Sequence, residues 1–93
     1  MATLDTIAEK IIKEQELVIG PLAWSEAQKV AGLQVAADHH VMLQNGDPKA
    51  VIDRLVAQYE RLFGRASHEV CKEAAAALIA SLPRADIPQS LLA

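Results

Sequence analysis

The chain has 93 residues, a net charge of −3 and a hydrophobic fraction of 52%, much of it alanine. This length suits one domain and leaves no room for two. An acidic balance without any basic segment argues against nucleic-acid binding, and no apolar run approaches the roughly 18–20 residues that cross a bilayer.

The cellular compartment is predicted from two further features of the composition. Cys71 is the one cysteine of the sequence, so no disulfide can form within the chain. A single free thiol fits a reducing compartment. The N-terminus carries Asp5 and Glu9 and lacks the apolar core of a signal peptide. We therefore expect a cytoplasmic protein without a membrane partner.

The first predicted helix covers about Leu4–Ile19. Its apolar residues recur every three or four positions and so form one stripe: Leu4, Ile7, Ala8, Ile11, Ile12, Val18 and Ile19. Gly20 and Pro21 end this helix, because glycine accepts a left-handed conformation and proline cannot continue the hydrogen-bond ladder. A second helix is predicted over about residues 21–31, and Gly32 closes it.

Residues 33–43 allow two interpretations. In a helix, Leu33, Ala37 and Val41 fall on one side; in a hairpin, two short strands flank a turn at Asp38-His39-His40. We favour the helix, because alanine is uncommon in strands and an isolated two-stranded hairpin is only marginally stable. A turn at Asn45-Gly46 is predicted to end the segment.

The third predicted helix has the clearest boundaries. Asp47 is the expected N-cap, Pro48 the first helical residue and Gly64 the end. Its apolar stripe includes Leu55 and Leu62, which we expect in the core. A fourth helix is predicted over residues 67–82 with Ser67 as N-cap. The short link between these two helices predicts an antiparallel pair.

These elements predict an all-α fold, a small four-helix bundle; the alternative is three helices plus a short β-hairpin at about residues 33–43. Residues 1–83 form the predicted helical domain, and residues 84–93 are a C-terminal tail that either frays or docks.

The candidates for metal binding and catalysis are histidines and the cysteine. Asp38-His39-His40 matches the signature of the DHH phosphoesterases, but the further Asp and His motifs of that family are missing. Adjacent histidines point in different directions, and a third ligand such as His68 would have to come from another helix. His68 and Cys71 share a helical face, but Cys71 lies on the apolar stripe. We therefore expect no metal, no cofactor and no enzymatic activity.

An excess of apolar residues predicts an interaction surface. Leu17, Val18 and Ile19 are consecutive and span a wider arc than one neighbouring helix covers. The remaining candidates are Ile79 of the fourth helix, Leu91 and Leu92 of the tail, and Trp24. Tryptophan is enriched in interfaces, but the single Trp24 is interpreted first as a core anchor. The predicted function is a non-enzymatic helical protein–protein interaction or regulatory module, as a homodimer or with a protein partner.

The alternative function is a small-molecule or cofactor sensor with a site between helices. A cavity with apolar walls and a few converging polar groups would favour this sensor. An exposed apolar surface would favour the interaction module.

Overall fold

The structure, a computed structural model, describes residues 4–43 and 47–92. Within these ranges, helix α1 covers Leu4–Ile19 and helix α2 covers Leu22–Ala27. Strands β1 and β2 follow at Leu33–Val35 and Val41–Leu43, and helices α3 and α4 cover Pro48–Phe63 and Arg65–Ile79. Two single-turn 3-10 helices follow in the tail, at Arg84–Asp86 and Gln89–Leu91. The turn predicted at Asn45-Gly46 lies outside the described residues.

Residues 33–43 form a β-hairpin, so the favoured helical interpretation is wrong and the alternative is correct for this segment. The strands pair antiparallel, with Leu33 opposite Leu43. Ala36 and Ala37, whose low strand propensity favoured a helix, lie in the connection outside both strands. The hairpin is not isolated: β2 packs against α1, and Val41 is buried. This packing supplies the stability that a lone hairpin lacks.

The predicted bounds of α3 are confirmed. The Asp47 side chain accepts a hydrogen bond from the backbone N–H of Lys49 at 3.0 Å, and the helix runs from Pro48 to Phe63. Gly64 ends it with a φ of 90°, a conformation that glycine adopts without steric cost.

The predicted bounds of α2 and α4 need correction. Helix α2 ends at Ala27, so it has six residues, and turns occupy the chain from there to Gly32. Helix α4 begins at Arg65 and ends at Ile79, not at residues 67 and 82. Gly64 alone separates α3 from α4. Ser67 therefore lies buried in the first turn of α4 and does not act as its N-cap.

The core draws on every helix and on the hairpin. Leu55 is fully buried, as predicted, whereas Leu62 is 47% exposed, so its assignment to the core is wrong. Tyr59 is buried one turn before Leu62, and its hydroxyl donates to the carbonyl of Ala23 at 2.7 Å. Helix α2 starts at Leu22 and runs back along α3, with Ala23 at Tyr59 and Glu26 at Gln58, so Leu62 lies one turn beyond the start of α2.

The C-terminal tail docks on α3 and α4. Leu91 is only 3% exposed. The backbone N–H and the hydroxyl of Ser90 both donate to Asp53 Oδ1, at 3.0 and 2.6 Å. On the other side, His68 Nε2 lies 2.7 Å from the carbonyl oxygen of Ser90. The tail is thus part of the packed structure.

Candidate functional site

Four exposed apolar side chains belong to helix ends that lie close together. Their exposed fractions are 80% for Leu17, 64% for Val18, 45% for Leu22 and 47% for Leu62. We call these four residues the apolar end. Large apolar side chains are normally exposed singly, and a group of them marks an interaction site more often than chance.

Two buried hydrogen bonds bring together the helix ends that carry these four residues. Gln15 Nε2 donates to the carbonyl of Ser67 at 2.9 Å, so the C-terminal part of α1 lies beside the first turn of α4. Gly64 joins that turn directly to the last turn of α3. The hydrogen bond from Tyr59 to Ala23 brings the start of α2 to the same place. The ends of α1 and α3 and the start of α2 therefore meet.

The predicted interface residues fall into three groups. Leu17, Val18 and Leu92 are exposed, with Leu92 at 41%. Ile19 and Ile79 are half-buried against the core. Trp24 and Leu91 are 5% and 3% exposed and belong to the core of the chain.

Sequence reasoning missed two members of the apolar end, Leu22 and Leu62, because both fit buried stripes. The signal that could have found Leu62 is Gly20-Pro21, which interrupts the helix between α1 and α2. Helix α2 therefore begins only at Leu22, next to the contact between Ala23 and Tyr59, and Leu62 lies one turn beyond that contact.

The tip of the hairpin is held by an aromatic stack. The rings of Trp24 and His39 are parallel to within 12°, and their centroids are 4.0 Å apart. His39 has a φ of 67°, in the left-handed region that side chains with a Cβ occupy at a cost. Its N–H donates to the carbonyl of Ala36 at 2.9 Å, as in three-residue hairpin loops whose last residue is left-handed. The stack therefore fixes a loop residue onto the core.

The histidines do not converge on a metal site. His40 Nδ1 lies 3.6 Å from Glu9 Oε1, and the same oxygen accepts from the backbone N–H of Val41 at 3.3 Å. His68 instead contacts Glu60 and the tail on another side of the molecule. Among residues 4–43 and 47–92, no three His, Cys, Asp or Glu side chains are grouped so that they could hold a metal ion.

Cys71 is paired with a buried amide and not with His68. Gln15 is fully buried, and its Nε2 lies 3.3 Å from Cys71 Sγ. Burial raises the pKa of the Cys71 thiol from 9.0 to about 11, against the lowering effect of the Gln15 hydrogen bond. Because the thiolate is the nucleophilic form of cysteine, this thiol is held in its unreactive form.

Comparisons with known protein families, with curated proteins and with solved structures found no match to this chain. No helix in the described part of the chain is both long and apolar enough to span a membrane.

Proposed function

We propose that this domain is a non-enzymatic protein–protein interaction module that self-associates through the apolar end. The observation that carries the proposal is the exposure of Leu17, Val18, Leu22 and Leu62 on helix ends that meet. Burying a large aliphatic side chain contributes about 1.5–3 kcal/mol, so covering four of them supplies a substantial driving force.

A second copy of the chain is the occupant that this surface fits best. The four side chains are apolar and uncharged, so the surface is complementary to itself. Symmetric dimers with one shared patch are the commonest form of self-association. The tail does not compete for this position, because its contacts are with α3 and α4 along Asp53 and His68. A different helical protein on the same surface is the other outcome that an experiment can reveal.

Isotope-filtered NMR tests this arrangement directly. We would mix labelled and unlabelled chains and record nuclear Overhauser effects between copies. Contacts between copies are expected at the methyl groups of Leu17, Val18, Leu22 and Leu62, and the methyl group of Met42, which is 36% exposed on the hairpin, serves as the control. Contacts at Met42 but none at the apolar end would overturn the proposed surface.

A further inference from the structure

A groove between α3 and the segment that links α2 to β1 gathers three cationic side chains. It has a volume of about 410 Å³, and its walls include Lys29, Arg54 and Arg61. The whole chain has nine Lys and Arg residues and a net charge of −3. One third of its cations therefore line a single groove, where the local charge is opposite to that of the molecule.

The two arginines are held in place by neighbours. Arg54 and Arg61 are two helical turns apart and lie on the same side of α3. Arg54 Nη1 donates to the carbonyl of Ala31 at 3.2 Å, and Arg61 Nη2 donates to Gln58 Oε1 at 2.6 Å. A guanidinium has five N–H donors, so each arginine keeps further donors for a ligand.

One carboxylate organises the groove without cancelling its charge. Glu26 is 7% exposed, and its two oxygens accept from Lys29 Nζ at 3.0 Å and from Gln58 Nε2 at 2.8 Å. These hydrogen bonds, from Lys29 first and then Gln58, hold the pKa of Glu26 below its ordinary value. Glu26 thus stays ionised, and the sum of one carboxylate and three cations is +2.

We infer that this groove binds a phosphate group carried by a small organic molecule. A local charge of +2 matches a phosphate dianion better than a carboxylate monoanion, and the planar fork of arginine pairs with two phosphate oxygens at once. The volume falls in the range of small-molecule sites, about 300–1,000 Å³, and exceeds what one phosphate fills. Val30 and Ala57 supply apolar wall for the rest of the ligand. The inference goes beyond self-association, because no residue of the groove belongs to the apolar end, although Arg61 directly precedes Leu62.

An NMR titration of the whole chain at physiological salt tests the inference, with phenyl phosphate as the probe. Saturable shifts are expected at the backbone amides of residues 29–32 and 54–61. Inorganic phosphate lacks the organic part, and benzoate lacks the second charge. We expect each of them to bind at least about threefold more weakly, a difference of roughly 0.6 kcal/mol or more. Equal affinity for inorganic phosphate would overturn the organic part of the inference, and equal affinity for benzoate would overturn the preference for phosphate.

Substitutions then locate the site. Arg54→Gln combined with Arg61→Gln should weaken phenyl phosphate binding by about tenfold or more, because charge-assisted hydrogen bonds to phosphate are lost. Both side chains are exposed, so circular dichroism should show an unchanged fold. Arg84→Gln removes an exposed cation on the tail and should leave the affinity unchanged. Linear, unsaturated shifts would refute a site in this groove. The same weakening in Arg84→Gln would show that only the overall charge of the chain matters, and it would refute the site as well.

Discussion

The imidazole of His39 stacks on the indole of Trp24, with ring centroids 4.0 Å apart. This contact joins the tip of the hairpin to α2, which comes earlier in the chain. Because Trp24 is the single tryptophan, its fluorescence reports the state of the stack directly.

His39→Ala should lower the free energy of unfolding by about 0.5–1.5 kcal/mol, the usual contribution of an aromatic pair. His39→Gly also removes the ring, but it relieves the left-handed φ of 67°, which costs roughly 1–2 kcal/mol with a Cβ. The glycine variant should therefore be the more stable of the two in urea unfolding. In both variants Trp24 emission should move to longer wavelength. An alanine variant with wild-type stability and emission would show that the stack contributes nothing.

Two leucines on the same helix should respond differently to truncation. Leu55→Ala should cost about 2–5 kcal/mol, because it opens a cavity in the core. Leu62→Ala should change the stability by about 0.5 kcal/mol or less, as exposed positions do, since Leu62 is 47% exposed. Urea unfolding measures both changes in stability, on protein dilute enough for any dimer to dissociate. Equal losses of stability in the two variants would contradict the burial of Leu55 and the exposure of Leu62.

Stability should fall in alkaline solution because of Cys71. Burial raises the pKa of this thiol from 9.0 to about 11, so the folded chain keeps its proton more firmly than the unfolded chain. Well below pH 9 both states are protonated and the stability is complete. Between pH 9 and 11 the unfolded thiol ionises first, and stability declines. Between pH 8 and 10.5 the loss from this group should be about 2 kcal/mol.

Cys71→Ser provides the matched control for this pH dependence. Serine keeps an acceptor for Gln15 but does not titrate in this range. The pKa of the buried Tyr59 is also raised, first by desolvation and then by the charge of the Cys71 thiolate, so the part of its alkaline loss that desolvation causes remains in both proteins. The decline from pH 8 to 10.5 should therefore be steeper in the wild type. Parallel curves would mean that the thiol does not titrate differently in the two states.

Local signals were sufficient for some elements and not for others. The bounds of α3 follow from Asp47, Pro48 and Gly64, which act within one turn of the helix ends. The hairpin depends on contacts with distant residues: Glu9 accepts from the backbone of Val41, and Trp24 holds the tip. Propensity alone therefore gave the wrong preference for residues 33–43.

The candidate site could be predicted only in part for a related reason. A helical stripe gives the direction of a side chain but not the position at which a covering helix begins. Leu62 continues a buried stripe and yet lies beyond the start of α2. Conversely, the two hydrogen bonds from Ser90 to Asp53 anchor the tail on α3. Leu91 is thereby placed in the core, although the sequence offered it as an interface residue.

Sedimentation equilibrium over a micromolar concentration series tests the proposed self-association most directly. The wild type should approach twice the mass of the chain. Leu17→Ser combined with Val18→Ser should raise the dissociation constant by at least about tenfold, because two apolar side chains are no longer buried. Met42→Thr, which alters an exposed apolar residue of the hairpin, should leave the constant unchanged. A wild type that remains monomeric throughout the series, or a dimer equally stable in the Leu17 and Val18 variant, would contradict the account.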